Sequence, residues 1–185
     1  NITFYFPVDP NRIPEILEER IEEIKSTIPE LIALKTKTLE DTKVELFRGK
    51  EGIKTVMRDI IRESKNYELK GEAEKYFSEM EIFTIQWIKL VEKNKINGRL
   101  LGSEEQKFKV GKTEEYKLLP KELIPEISIC TYGEKTALFI WTDPYHAVLI
   151  KNKSVTKSYQ KYFEYLWKIA KNPSKEHKKI SEIKT

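Results

Sequence analysis

Apolar and polar positions follow a helical period at the start of the chain and a strand-like period later on. Within residues 9–35 the apolar side chains recur at spacings of four, three, four and three: Leu17, Ile21, Ile24, Ile28 and Leu31. Glutamate and lysine fill the flanks of this seam, as they do in coiled coils. The pattern predicts a coiled-coil-type dimerisation helix over residues 9–35, with a kink where Pro29 interrupts it. A surface helix that packs against its own domain is the alternative.

Strand-like and helix-like segments alternate in the next part of the chain. Short strands are predicted at residues 44–48 and 67–71, and each ends close to a glycine and is followed by apolar residues at helical spacing. The polar residues 103–115 are predicted to form a loop or a short edge hairpin. Strand followed by helix, repeated, is typical of an α/β fold.

The last part of the chain is the most strand-like. Apolar runs at residues 126–132, 136–142 and 147–150 are separated by turns that contain Gly133 and Pro144, which predicts antiparallel hairpins. A final helix is predicted over residues 154–170. Together with the preceding segments this predicts a mixed sheet flanked by helices over residues 43–171.

The two ends of the chain differ from its middle. Residues 1–8 form a short strand-like segment without an initiator methionine, and we expect them to be the end of a preceding DNA-binding domain. Residues 172–185 form a basic tail, which we expect to be a solvated terminus. The last fifteen residues carry five lysines and two glutamates, or +3 of the net charge of +4. The remaining body is near neutral, and its sequence shows no concentrated basic face for nucleic acid.

Composition restricts the class of protein further. Hydrophobic residues make up 39% and charged residues 35% of the chain, which is typical of a soluble globular protein. No apolar run approaches the roughly 20 residues of a membrane span, so we expect no membrane partner. The single cysteine, Cys130, cannot form an internal disulfide, which fits a reducing cytoplasm. We expect it to be a small apolar residue in a buried strand.

Residues 46–53, 128–141 and 162–167 are three segments whose sequences resemble the TrmB family of archaeal transcriptional regulators. Residues 46–53 (LFRGKEGI) are similar to the strand–turn–helix entry of that family's middle domain. Residues 128–141 (SICTYGEKTALFIW) and 162–167 (YFEYLW) resemble its closing strands and last helix. The opening Pro-containing strand and long helix match in kind, and the order and spacing of the segments carry the resemblance over residues 1–171.

The resemblance implies a phospholipase-D-like fold for residues 43–171, preceded by the dimerisation helix. It also implies a homodimeric parent protein that binds promoter DNA through a winged-helix domain. Nothing in this sequence resembles the helix-turn-helix of that domain, so we expect DNA contact through a domain that is absent from this chain.

Catalytic motifs are missing from the sequence. Phospholipase-D-type enzymes use two His-x-Lys-x4-Asp motifs, whose histidine attacks phosphorus. His146 is followed by Ala147 and Val148, so the lysine position is apolar, while Lys184 occupies the aspartate position after His177. The chain also lacks a phosphate-binding loop and a histidine/cysteine zinc pattern. We therefore expect no enzymatic activity, no cofactor and no metal.

Two predicted turns carry side chains that suit a small molecule. One of them opens a helix, whose backbone N–H groups can hold an anion, and the other combines aromatic rings with a carboxylate. Because ligands of α/β sheets bind beyond the carboxyl ends of the strands, we expect one site for a sugar or an anionic effector, formed by Arg48, Gly49, Lys50, Gly71, Arg99, Trp141, Asp143 and Tyr145. An ordinary packed turn is the alternative for both turns, with Arg48 paired to a nearby carboxylate.

The sequence thus favours a non-catalytic dimerisation and effector-sensing domain of a TrmB-like regulator. The alternative from a different class is a phosphodiesterase or nuclease of the phospholipase-D fold with a divergent site. A third alternative is a structural chromatin-type protein, which would show no ligand-dependent change.

Overall fold

The fold is described from a computed structural model, which covers residues 9–35, 42–63, 65–106 and 110–173. The chain divides into two compact units, Asn1–Asp41 and Thr42–Thr185, and each is described by itself. The predicted strand over residues 1–8 and most of the basic tail lie outside the described residues. Within the described part, no helix is both long and apolar enough to cross a bilayer.

The described residues of the first unit, 9–35, form one long helix preceded by a short turn. A 3-10 turn, Pro10–Arg12, leads into α1, Ile13–Lys35. Pro29 lies inside α1, and the helix continues through it, so the interruption expected at this residue does not end the helix. Leu31 belongs to the same helix. The other four side chains of the predicted seam are well exposed, at 54% for Leu17, 49% for Ile21, 62% for Ile24 and 43% for Ile28.

The second unit is built on one mixed sheet of seven strands, in the order β1-β7-β6-β5-β2-β3-β4. The strands are β1 (Lys43–Arg48), β2 (Tyr67–Lys70), β3 (Gly98–Ser103), β4 (Glu114–Leu119), β5 (Ser128–Tyr132), β6 (Lys135–Ile140) and β7 (His146–Lys151). Strands β2, β3 and β4 run parallel, whereas β5, β6, β7 and β1 pair antiparallel to their neighbours. The hairpin series β5–β6–β7 is the one that the alternating apolar runs predicted.

Helices cover both faces of the sheet. On one face α2 (Gly49–Glu63) and α3 (Glu74–Lys93) bury their apolar sides, and on the other face lies α4 (Lys153–Ile169). The larger core joins α2 and α3 to the alternate residues of the strands, for example Leu69, Cys130 and Phe139. The smaller core packs Phe163 and Leu166 of α4 on residues of β3 and β4. The period-2 alternation of the strands thus supplies an apolar surface to both helix layers.

Two features depart from the sequence-based expectation. The segment predicted as a loop or an edge hairpin leads instead into β4, which runs parallel to β3 and therefore cannot be its hairpin partner. Strand β4 lacks the alternation of apolar residues by which a strand is predicted, because Glu114 occupies one of its buried positions. In addition, α3 is broken at Met80, whose φ of −147° and ψ of 44° are not helical. A hydrogen bond spans this break: the hydroxyl of Thr84 donates to the carbonyl oxygen of Tyr76 at 2.7 Å.

Candidate functional site

The two turns that the sequence singled out lie side by side. Strand β1 ends at Arg48, which is paired in register with His146 at the start of β7. The next residue, Gly49, opens α2 with a φ of 69°, and its N–H donates to the carbonyl oxygen of Tyr145 at 2.6 Å. The strand-to-helix turn and the β6–β7 turn therefore form one continuous surface beyond the end of β1 and the start of β7.

The ammonium group of Lys50 is engaged by other residues of the chain instead of being left free for an anion. Its Nζ atom lies 3.1 Å from Glu79 Oε2 and 3.2 Å from the Glu79 carbonyl oxygen, and 5.6 Å from the centre of the Tyr145 ring. The hydroxyl of Tyr145 donates to the same carboxylate. This hydrogen bond and the Lys50 ammonium lower the pKa of Glu79, and the carboxylate in turn raises the pKa of Tyr145. Glu79 therefore occupies the position that an anionic ligand was expected to take.

Trp141 does not present an open aromatic wall. The side chain is 9% exposed, and its indole N–H donates to Ser128 Oγ at 3.0 Å. Its ring packs edge-on against Tyr76 at 4.7 Å and Tyr145 at 6.0 Å between ring centres. The Trp ring expected to stack on a sugar is thus part of the core, because Tyr76 of α3 and Tyr145 pack against it. Asp143 remains exposed in the same turn, and its peptide bond to Pro144 is cis.

Gly71, another residue of the predicted site, has a steric role. It follows β2 with a φ of 130°, and its N–H donates to the carbonyl oxygen of Leu101 at 3.1 Å. An added Cβ would lie 2.1 Å from the carbonyl oxygen of Ile127. Glycine is required here because two backbone segments approach closely, which leaves no room for a ligand between them.

Arg99 is separated from the other predicted site residues. It is the second residue of β3, and its side chain lies on the opposite face of the sheet, under α4. The guanidinium pairs with the carboxylates of Glu68 and Glu164 and lies over the rings of Phe163 and Trp167. Burial opposes the charged form, but hydrogen bonds to Glu164 and Glu68 outweigh it, so the pKa of Arg99 is raised. The expectation that Arg99 joins the predicted site is therefore wrong.

The larger core contains a cavity that the sequence did not indicate. It measures about 40 Å³ and is bounded by α2, α3 and the sheet, with Trp87, Tyr67 and Glu114 in its wall. The Tyr67 hydroxyl and the Gly111 N–H both donate to the Glu114 carboxyl. Burial raises the pKa of Glu114 in spite of these donors. A water needs roughly 10–15 Å³, whereas ligand pockets measure roughly 300–1,000 Å³. The cavity can hold a few waters but not a metabolite.

His146 and Cys130 are two described residues whose side chains are of a type that can act as nucleophiles. His146 begins β7, and neither it nor any other residue described belongs to a cluster of three or more metal-ligating side chains. Cys130 is fully buried, and burial raises the pKa of its thiol well above the usual range, which opposes nucleophilic reactivity. His177 lies outside the described residues.

Comparisons with known proteins bear on the fold. No protein-family model matches the sequence, and no curated protein matches it significantly. Among solved structures, NucT from Helicobacter pylori is similar with a TM-score of 0.53 at 11% identity, over 72% of this chain and 100% of the other. Nuc from Salmonella typhimurium, a phospholipase D family member, has a TM-score of 0.51 at 9% identity, over 72% and 99%.

A third similar structure is that of TrmBL2, an archaeal chromatin protein described as showing a novel mode of DNA binding. Its TM-score is 0.49 at 16% identity, over 90% of this chain and 72% of the other. The likeness to NucT and Nuc shows the fold. The second unit has the phospholipase-D-like α/β fold that the sequence analysis predicted, with a mixed seven-stranded sheet flanked by helices.

Proposed function

We propose that this chain is a non-catalytic dimerisation and effector-sensing module of a TrmB-like transcriptional regulator. In the parent protein the dimer would set the spacing of two winged-helix domains on DNA. The observation that carries the proposal is the apolar seam of α1, whose residues Leu17, Ile21, Ile24 and Ile28 are each more than two fifths exposed in the single chain.

Pairing of two such helices has a clear energetic advantage. Fully burying one isoleucine or leucine side chain contributes about 1.5–3 kcal/mol, so four half-exposed residues on each helix offer several kcal/mol to a partner. The seam repeats every three or four residues, which a second copy of the same helix matches. Charged residues such as Glu22 and Lys25, which pair with each other at 2.6 Å, fill the flank.

The non-catalytic part of the proposal rests on the sequence around the histidines. Position 148, where a lysine would follow His146 in the phospholipase-D motif, is a valine. The lysine supplies charge to the transferring phosphoryl group, and valine supplies none. The alternative, a phosphodiesterase with a divergent site, predicts turnover of a generic phosphodiester, whereas our proposal predicts none.

Effector sensing would use the surface around Lys50. A hydroxylated or anionic small molecule would have to displace Glu79 from Lys50 and Tyr145, because these two groups already share its carboxylate. Such an exchange would couple ligand binding to the part of α3 that precedes its break at Met80.

Sedimentation of the full chain tests the dimer. At about 50 µM, within the micromolar range of weak specific association, we expect wild type to be a dimer and Ile24→Asp with Ile28→Asp to be a monomer, because each aspartate places a charge in the seam. The control is Lys25→Gln with Ser26→Asp, which also changes the net charge by two but leaves the seam intact. A monomeric wild type, or a control that dissociates equally, would overturn the proposal.

A further inference from the structure

Basic charge in the second unit is concentrated on one helix. Helix α4 carries four lysines and one glutamate, a net charge of +3. By contrast, α2 has four basic and three acidic residues, and α3 has three basic and four acidic residues. No basic face was evident from the sequence, because counting charges along the chain averages α4 with the near-neutral remainder of the body.

The four lysines share one side of α4. Successive residues of an α-helix are rotated by about 100°, so Lys153, Lys157, Lys161 and Lys168 fall within an arc of about 80° on the helix surface. The buried side chains of α4, among them Phe163 and Leu166, lie on the other side, against the sheet. Glu164 lies within the lysine arc, but its carboxylate is engaged by Arg99.

The ammonium groups of this arc are available to a partner. Lys153 lies 3.5 Å from Glu134, with both side chains more than half exposed, and such a surface pair contributes little. Lys157 and Lys161 form no ion pair with any residue that the structure describes, and both are exposed. Glu164 is the acidic residue within the arc, and both Arg99 and Lys168 act on its carboxylate, so the arc keeps a net positive charge.

Aromatic side chains border the lysine arc. Tyr165 is 64% exposed. Around the helix axis it lies next to the arc, about 40° beyond Lys161. Tyr162 is 48% exposed and lies further round, with Lys70 Nζ 4.2 Å from the centre of its ring. An exposed ring beside a row of cations is the arrangement with which proteins stack an unpaired base while they hold its phosphates.

We propose that the exposed face of α4, defined as Lys153, Lys157, Lys161, Tyr165 and Lys168, binds nucleic acid without reading its sequence. The lysines contact phosphates, and Tyr165 stacks on a base, which favours single strands over duplex. Lys157 and Lys168 are about 16 Å apart along the helix axis, so the lysines of this face can contact several phosphates of one strand. A membrane surface fits less well, because the apolar side of α4 is buried in the protein and cannot insert into lipid.

Fluorescence anisotropy with a labelled single-stranded DNA of about 20 nucleotides, and with the matching duplex, tests this proposal on the full chain. The decisive variant is Lys157→Gln with Lys161→Gln and Lys168→Gln. Its control is Lys75→Gln with Lys89→Gln and Lys93→Gln, which removes three exposed lysines from α3 and gives the same net charge. At about 50 mM salt we expect the α4 variant to bind at least tenfold more weakly than the control.

The salt dependence gives a second readout. For single strands the slope of log K against log salt is about −0.7 per phosphate contact, so the α4 variant should flatten this slope by roughly 2 and the control should not. Tyr165→Ala should weaken single-strand binding roughly tenfold or more, as loss of one base stack does, while Tyr165→Phe should retain it. Absent binding by wild type at low salt, or equal losses in the α4 variant and the α3 control, would overturn the proposal. Equal, lysine-dependent binding to anionic phospholipid vesicles would reassign the face to a membrane.

Discussion

The hydroxyl of Tyr67 donates a hydrogen bond to the carboxyl group of Glu114, and the two side chains are buried together beside the cavity under α3. Glu114 is 3% exposed. The pKa of Glu114 is raised by its burial, and the donors Tyr67 and Gly111 offset this only in part. Glu114 is thus a carboxyl group that the fold holds toward its neutral form.

The raised pKa of Glu114 makes the free energy of unfolding depend on pH. Between the ordinary carboxyl pKa of about 4.3 and the raised folded value, the folded state binds more protons than the unfolded state, so rising pH removes stability. We expect Glu114→Gln, which cannot ionise, to gain stability relative to wild type as the pH increases from about 4 to about 8. Urea unfolding at a series of pH values measures this difference.

Glu115→Gln is the matched control, since Glu115 is the next residue of β4 and is exposed. Its stability relative to wild type should change less over the same range of pH. A constant difference between Glu114→Gln and wild type would show that Glu114 ionises as easily in the folded state as in the unfolded chain.

Arg99 joins two elements through one guanidinium, because it pairs with Glu68 on β2 and with Glu164 on α4. Arg99→Ala leaves the mostly buried Glu68 carboxylate without this partner. Removal of one member of a buried pair lowers the free energy of unfolding by about 3–5 kcal/mol. Because Arg99 is partly exposed, we expect a smaller loss of roughly 2–3 kcal/mol for Arg99→Ala. Urea unfolding measures the loss. Arg62→Ala is the control, because Arg62 pairs with Asp59 through a side chain that is itself exposed. This variant should lower the free energy of unfolding by less than about 1 kcal/mol.

Glu79 determines whether the Lys50 surface can accept an anion. We expect Glu79→Gln to bind sulfate at least roughly tenfold more tightly than wild type. The variant removes the carboxylate that pairs with Lys50, so the Lys50 ammonium can donate an ionic hydrogen bond to sulfate instead. Thermal unfolding at increasing sulfate concentration, at constant ionic strength, measures the affinity. Glu74→Gln, an exposed change on the same helix, should behave as wild type. Equal stabilisation of all three proteins would mean that Lys50 is not an anion site.

The pattern of apolar residues was sufficient for most of the second unit. Strands β5, β6 and β7 are continuous apolar runs between turns, and α2 to α4 repeat apolar residues at helical spacing, so local sequence alone indicates them. Strand β4 could not be found in this way. Its inward positions include Glu114, whose burial depends on Tyr67, a partner 47 residues away.

The candidate site was predictable only where neighbouring strands bring turns together. The turn at Arg48 and the turn at Tyr145 meet because β1 and β7 pair along their whole length, which places the end of β1 beside the start of β7. Arg99 was misplaced because the face to which a strand residue points depends on register, and a shift of one residue reverses it. Glu79 was missed because nothing in the sequence links it to Lys50, which is 29 residues away.

Gly71 and Gly49 both have a positive φ, of 130° and 69°, but only one of them is enclosed. A Cβ at Gly71 would lie 2.1 Å from the Ile127 carbonyl oxygen, whereas a Cβ at Gly49 would meet nothing within 4 Å. We expect Gly49→Ala to lose only about 1–2 kcal/mol, the cost of a left-handed backbone with a side chain. Gly71→Ala should lose at least about 3 kcal/mol, because it combines that strain with a backbone collision that separates β2 from the segment before β5. Urea unfolding with unchanged m-values measures both losses. Equal, small losses would mean that the backbone around Ile127 yields without cost, and the close approach at Gly71 would then not be a requirement of the fold.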